Sequence, residues 1–142
     1  MPVPRTPLLT VDGVVLVRDP HRPDAPPQVL LIKRGNEPFR GRWALPGGFV
    51  DVGEDPDGAV GREVAEETGL GGLDFEQFRV YGAPDRDPRG HTVSVVYVAE
   101  IEGIPPEVTG GDDATEAAWF VVGKTPELAF DHGGILGDVV GG

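Results

Sequence analysis

The chain reads as an α+β protein, an α/β/α sandwich built on a mixed β-sheet. Three observations lead there. Apolar and β-branched runs of strand length recur from one end of the chain to the other. A well-signalled helix from about Pro56 to about Thr68 interrupts them, and a shorter helical stretch follows the last of them. That alternation puts the first helix on one face of the sheet and the second on the other.

Leu8 to Arg18 is the first strand, with Asp12-Gly13 in its middle reading as a bulge. The proline-rich run from Asp19 to Pro27 is a loop. Gln28 to Lys33 is nearly unbroken in its apolar character, which predicts a strand buried on both faces. Arg34 follows at its end, where a side chain can reach a ligand. Trp43 to Leu45 is a short strand leading into a glycine turn at Pro46-Gly47-Gly48, and Trp43 is expected to pack beside the helix that follows.

In that helix Asp55 is the N-cap, Pro56 occupies the first turn, Asp57 adds an acidic group there and Gly69 supplies the stop. Val60 and Val64, with Ala59, form the inward stripe. Phe75 to Tyr81 is a further strand. Thr92 to Ile101 is the clearest strand, filled with β-branched and aromatic residues. Gly110 to Glu116 is a Gly/Asp-rich loop before the last strand, Ala117 to Val122. The closing helix, from about Phe130, is weakened by its glycines. His132 is expected to be a cap or a surface residue, because no second His stands at metal-ligand spacing.

With 142 residues the chain has room for one core and one domain, residues 1–142. Acidic residues outnumber basic ones 24 to 12, for a formal charge of −12, which disfavours nucleic-acid backbones as partners. Cysteine is absent, so disulfides, thiolate metal sites and a Cys nucleophile are excluded. The amino-terminal residues lack the apolar stretch of a signal peptide and no run approaches a membrane span. A cytoplasmic enzyme without a membrane partner is expected.

The chemistry concentrates on the helix. Glu63, Glu66 and Glu67 stand at i, i+3 and i+4, about 5–6 Å apart at Cβ, so their charges repel by roughly 0.2–0.5 kcal/mol per pair on an exposed helix. A divalent cation reverses the sign of that interaction. Hard oxygen ligands without His or Cys favour Mg²⁺, with Mn²⁺ as substitute, and Mg²⁺ takes its remaining ligands from water and substrate phosphates. Arg62 lies one turn before Glu66 and is placed to hold a carboxylate. Glu54, just before the helix, either caps it or contributes to the metal site.

From Gly48, five residues lead to Glu54 and seven more to Arg62-Glu63-Val64-Ala65-Glu66-Glu67-Thr68-Gly69-Leu70. This spacing resembles the Nudix box, G-x5-E-x7-R-E-U-x-E-E-x-G-U, at every fixed position, with Val64 and Leu70 in the bulky apolar places. The resemblance implies the Nudix α/β/α sandwich and Mg²⁺-dependent hydrolysis of a nucleoside diphosphate linked to another group. It also implies metal ligation by Glu63, Glu66, Glu67 and the carbonyl of Gly47, and an orienting role for Arg62. A further acidic residue from the late loop is implied as ligand or general base: Asp112, Asp113 or Glu116, with Asp113 preferred.

Arg86, Arg89 and His91 in the Gly/Pro-rich loop from Gly82 to His91, together with Arg34, are placed to meet phosphates or sugar hydroxyls. The run D-P-R-G-H followed by T-V-S-V resembles the ADP-ribose pyrophosphatase branch, which implies ADP-ribose as substrate, AMP and ribose 5-phosphate as products, and a homodimer as the possible assembly. Two rival expectations stand beside it: a nucleoside triphosphate pyrophosphohydrolase on the same metal site, and a sensor that binds ADP-ribose without cleaving it. The intact box, and the lack of a basic helix-turn-helix segment after it, weigh against the sensor.

Overall fold

A computed structural model describes residues 2–141. In chain order the elements are β1 (Leu8–Arg18), β2 (Gln28–Arg34), β3 (Trp43–Ala44), β4 (Gly47–Phe49), α1 (Pro56–Thr68), β5 (Glu76–Tyr81), β6 (Thr92–Glu102), β7 (Ala114–Val121) and α2 (His132–Gly141). The sheet runs β3-β2-β1-β6-β5, with β4 added to β1 and β7 to β2. It is mixed: β1 and β6 are parallel and the other pairs antiparallel.

Side-chain alternation along β1 builds the two outer layers. Val11 and Val15 pack with Ala59, Val60 and Val64 of α1, whereas Val14 and Leu16 pack with Ile135 and Leu136 of α2. β2 is buried on both sides as expected, Leu30 toward α1 and Val29 and Leu31 toward α2. This is the α/β/α sandwich with one helix per face. The apolar contacts of Ile135 and Leu136 hold α2 in place despite its glycines.

One feature of the sheet creates the site. β1 and β2 share only the pairs Leu16–Val29 and Val17–Gln28 and then part. β3 pairs with β2 at Ile32 and Lys33, and β4 pairs with β1 from Thr10 to Asp12, so the chain between Trp43 and Phe49 fills the fork.

Several expectations need correction. Asp12-Gly13 is no bulge: the ladder from β1 to β6 runs in unbroken register from Leu8–Thr92 to Arg18–Glu102. Gly13 is there for closeness, since a Cβ at that position would stand 3.1 Å from Val64 and 3.3 Å from Val60 and Phe75. The Gly47-Gly48 turn is part of a strand, β4. Trp43 packs in the α2 layer, edge-on to Phe120 at 4.9 Å between ring centroids, and not beside α1. Its partner across the ladder is Lys33, two residues on from Leu31, which sets its face. β7 begins at Ala114, three residues early, because pairing with β2 extends to Arg34. α2 begins two residues late, because Phe130 has φ 53°, a left-handed value outside the helical range.

Candidate active site

The fork between β1 and β2 opens into a cavity of about 300 Å³. β1 supplies Thr10 and Asp12, β2 supplies Ile32 and Arg34, and β4 supplies Gly47, Gly48 and Phe49. α1 contributes Glu63 and Glu67 from one side. Arg86, Asp87 and Arg89, then Phe130 and His132, close the other, with Asp113 at the rim.

The acidic side is built by the helix. Asp55 caps α1 by accepting from the Asp57 N–H at 2.9 Å, and Gly69 closes it with an N–H to the carbonyl of Ala65. With Val60 and Val64 turned into the core, Glu63 and Glu67 are carried inward too, 8% and 4% exposed. Gly48 lets β4 lie against Glu63, because a Cβ there would come within 2.6 Å of its carboxylate.

Arg62 holds this group together. Its guanidinium makes a two-point contact with Glu54 (2.6 and 2.8 Å), and Nη1 reaches Glu63 at 2.9 Å and Glu66 at 3.3 Å. The orienting role expected of Arg62 has this geometry. Glu54 neither caps the helix nor lines the cavity. It is the anchor of Arg62, whose hydrogen bonds hold its carboxyl down at about 2.

The three box glutamates do not converge as a set. Ligand-capable oxygens of Glu63, Glu66 and Asp112 all lie within 4.8 Å of one another. Glu67 lies outside that trio and accepts the Gly47 N–H at 2.8 Å. The Gly47 N–H is thereby turned toward α1. Burial pushes the Glu67 carboxyl up to about 8, against the pull of the Gly47 N–H and with a further push from Glu63 and Asp12. Burial likewise raises Glu63, against Arg62. The clustered carboxylate oxygens of Glu63, Glu66 and Asp112 are hard donors of the kind a hard divalent cation takes.

In the late loop Asp112 adopts φ 51° and joins the trio, whereas Asp113 lines the cavity and accepts from Asn36 Nδ2 at 3.1 Å. Glu116 is drawn off to Lys33 at 3.3 Å.

Of the expected ligand-binding residues, Arg34, Arg86 and Arg89 reach the cavity. Arg34 lies over the Phe130 ring at 4.9 Å, and Arg89 sits 5.0 Å from Phe49 and 5.4 Å from Phe130. Arg89 is also paired with Asp87 at 2.8 Å, and Arg86 makes a two-point contact with Asp131 at 2.7 and 2.9 Å. His91 does not line the cavity; its Nε2 lies 2.9 Å from the carbonyl of Gly82.

His132 is not a cap or surface residue. It is 4% exposed, and its Nδ1 accepts the Leu45 N–H at 3.0 Å. Burial lowers its basicity, against the pull of Asp12. Asp12, also missed, is 7% exposed and accepts from the hydroxyl of Ser94 at 2.5 Å. The signal for Asp12 was its parity: it shares a face with Val14 and Leu16, so a carboxylate there had to be buried.

The profile of the NUDIX domain matches residues 8–136, and the chain belongs to the Nudix family. It is 46% identical over 132 residues to the ADP-ribose pyrophosphatase of Methanocaldococcus jannaschii, covering 93% of this chain and 72% of that one. It is 34% identical to the ADPR responsive transcriptional repressor NtrR of Acinetobacter baylyi, covering 92% of this chain and 52% of the repressor. Among solved structures, the NUDIX domain of Shewanella oneidensis NrtR complexed with ADP ribose superimposes with a TM-score of 0.83 at 32% identity, over 96% of this chain and 88% of that one. A MutT/nudix family protein from Enterococcus faecalis gives the same TM-score at 37% identity, over 96% and 61%. The chain thus spans about half the length of the repressor.

Proposed function

We propose that this protein is a pyrophosphohydrolase that uses a divalent cation, Mg²⁺ with Mn²⁺ as substitute, to hydrolyse ADP-ribose to AMP and ribose 5-phosphate. The observation that carries the reading is the cavity itself: Glu63 and Glu67 of α1 share its lining with Arg34, Arg86 and Arg89, and Glu63 is also one of three clustered carboxylates with Glu66 and Asp112. The similarity to an archaeal ADP-ribose pyrophosphatase supports the choice of substrate.

Glu63, Glu66 and Asp112 would hold the cation, with Glu67 beside them. A cation bound there supplies charge neutralisation for the diphosphate and a more acidic bound water. The chain's own groups do the remaining work. Arg62 fixes Glu63 and Glu66 so that no reorientation is needed when the ligand arrives. Arg34 and Arg89 contact phosphate oxygens. Asp113, held by Asn36, accepts the proton of the water that attacks phosphorus. The bond from that phosphorus to the bridging oxygen breaks, and no covalent enzyme intermediate is required.

The test is a substrate panel with Mg²⁺: ADP-ribose, NADH, nucleoside triphosphates and sugar nucleotides, with products separated by chromatography. ADP-ribose is expected to give the highest kcat/KM, with AMP as product. Faster cleavage of a triphosphate would replace the substrate assignment. Tight ADP-ribose binding without Mg²⁺-dependent turnover would replace the enzyme with a sensor, the role that the name of the Acinetobacter repressor suggests for that protein.

A further inference from the structure

On the cavity floor, opposite the box helix, two buried polar side chains face each other with unused hydrogen-bonding capacity. His132 Nδ1 accepts the Leu45 N–H, so in the neutral ring the proton sits on Nε2. That Nε2 stands 3.6 Å from Asp12 Oδ1, beyond hydrogen-bonding distance. The other Asp12 oxygen, Oδ2, is occupied by the Ser94 hydroxyl. Both side chains line the cavity and both are nine-tenths or more buried.

A donor and an acceptor set 3.6 Å apart match one oxygen that both gives and takes a hydrogen bond. An oxygen on the cavity side of the pair, off the line that joins them, can stand roughly 2.8 Å from each, within ordinary hydrogen-bond lengths. A phosphate oxygen does not suit the place, because it has no proton to give and would meet the Asp12 carboxylate. A hydroxyl does: it donates to Asp12 Oδ1 and accepts from His132 Nε2–H. We infer that Asp12 and His132 form a hydroxyl-reading pair that holds a pentose of the ligand against the cavity floor, positioning the diphosphate toward the α1 carboxylates.

Ser94 and the Leu45 N–H are the supports of this pair. The first fixes the carboxylate rotamer and the second fixes the histidine tautomer. Sites that hydrogen-bond a ligand hydroxyl reject the analogue lacking it, because their buried groups are then left unpaired. The inference rests on the proposed nucleotide substrate, and the pentose has two sources there, the nucleoside and the terminal sugar.

Calorimetric binding to the full chain separates them and tests the pair. The probes are AMP against 2′,3′-dideoxy-AMP, ribose 5-phosphate against tetrahydrofurfuryl phosphate, which keeps the ring and lacks its hydroxyls, and inorganic pyrophosphate as a ligand with no sugar. For the wild type, loss of the sugar hydroxyls in one of the first two pairs should weaken binding about tenfold, as expected for a hydrogen bond to a charged group. Asp12→Asn and His132→Phe should abolish that difference between ligands, whatever change they bring to the affinity for pyrophosphate that all the anions share. His132→Gln, which keeps a donor near the Nε2 position, should restore part of it, and thermal unfolding confirms that each variant is folded.

If AMP shows the effect, the nucleoside ribose is read; if ribose 5-phosphate does, the terminal sugar is. Equal discrimination in wild type and Asp12→Asn, or no sugar discrimination in the wild type, overturns the inference. Failure of the substrate assignment looks different: the panel shows no ADP-ribose cleavage, while the hydroxyl effect in binding persists.

Discussion

The two walls of the cavity treat charge in opposite ways. On the α1 wall Glu63 shares one guanidinium, Arg62, with Glu66 and with Glu54 outside the cavity, while Glu67 has only the Gly47 N–H and Asp112 approaches Glu63 and Glu66 from the late loop. On the opposite wall two arginines are matched locally, Arg86 with Asp131 and Arg89 with Asp87. Matched charges hold a fold together. An unmatched carboxylate cluster costs stability, and its retention on a rigid helix marks the wall that meets a cation and its phosphates.

Substitutions on the two walls are expected to have opposite consequences. Glu67→Gln keeps an acceptor for the Gly47 N–H but removes a charge from the cation wall. Steady-state kinetics with ADP-ribose and Mg²⁺ should show kcat reduced by about 10²–10³-fold, the scale of losing a group that stabilises transition-state charge. Thermal unfolding of the same variant should be unchanged or shifted upward, since a buried carboxylate is removed. A large loss of stability would make Glu67 a structural residue.

Asp131→Ala acts on the other wall and should do the reverse. It strands Arg86, whose side chain is 5% exposed, and should cost about 3 kcal/mol in denaturant unfolding, the low end for breaking a buried pair because Asp131 itself is one-third exposed. Gly13→Ala is expected to cost about 1–3 kcal/mol by overpacking β1 against α1. Its KM should stay near the wild-type value, because the added methyl lies between layers and not in the cavity.

The smallest expected effect is a pH dependence away from both walls. Hydrogen bonds from Tyr97 and then Gln77 hold the Asp57 carboxyl below its ordinary range in the folded chain. The contribution is therefore present above the unfolded carboxylate range and is lost as pH falls through the lowered folded value. In acid titrations of stability, Asp57→Asn should flatten that part of the profile. An identical profile would show that the Tyr97 contact contributes nothing measurable.

The legibility of these features follows the range of the interactions that set them. The bounds of α1 were readable because Asp55, Pro56 and Gly69 act on adjacent backbone. The burial of β2 on both faces was readable from its composition. The convergence of Asp112 with Glu63 and Glu66 was not, because it depends on the left-handed turn at Asp112 and on how a distant loop meets the helix. The inward turn of Glu67 was hidden for a related reason: β4 was read as a turn, and only its pairing with β1 delivers the Gly47 N–H to that carboxylate. Trp43 was misplaced because its face is set by its register with Lys33. The burial of His132 was not legible, because it depends on the Leu45 N–H and on the approach of Asp12, both far from it along the chain.

The central claim is that the excess carboxylates of the α1 wall form a cation site. Titrating Mg²⁺ or Mn²⁺ while following thermal unfolding tests it directly, since an ion that binds only the folded chain stabilises it by about 2.7 kcal/mol at one hundred times its dissociation constant. A saturable rise in unfolding midpoint for the wild type, lost in a Glu63→Gln, Glu66→Gln double variant that is itself folded, is the predicted result. A midpoint insensitive to either ion, or a rise that the double variant retains in full, would contradict it.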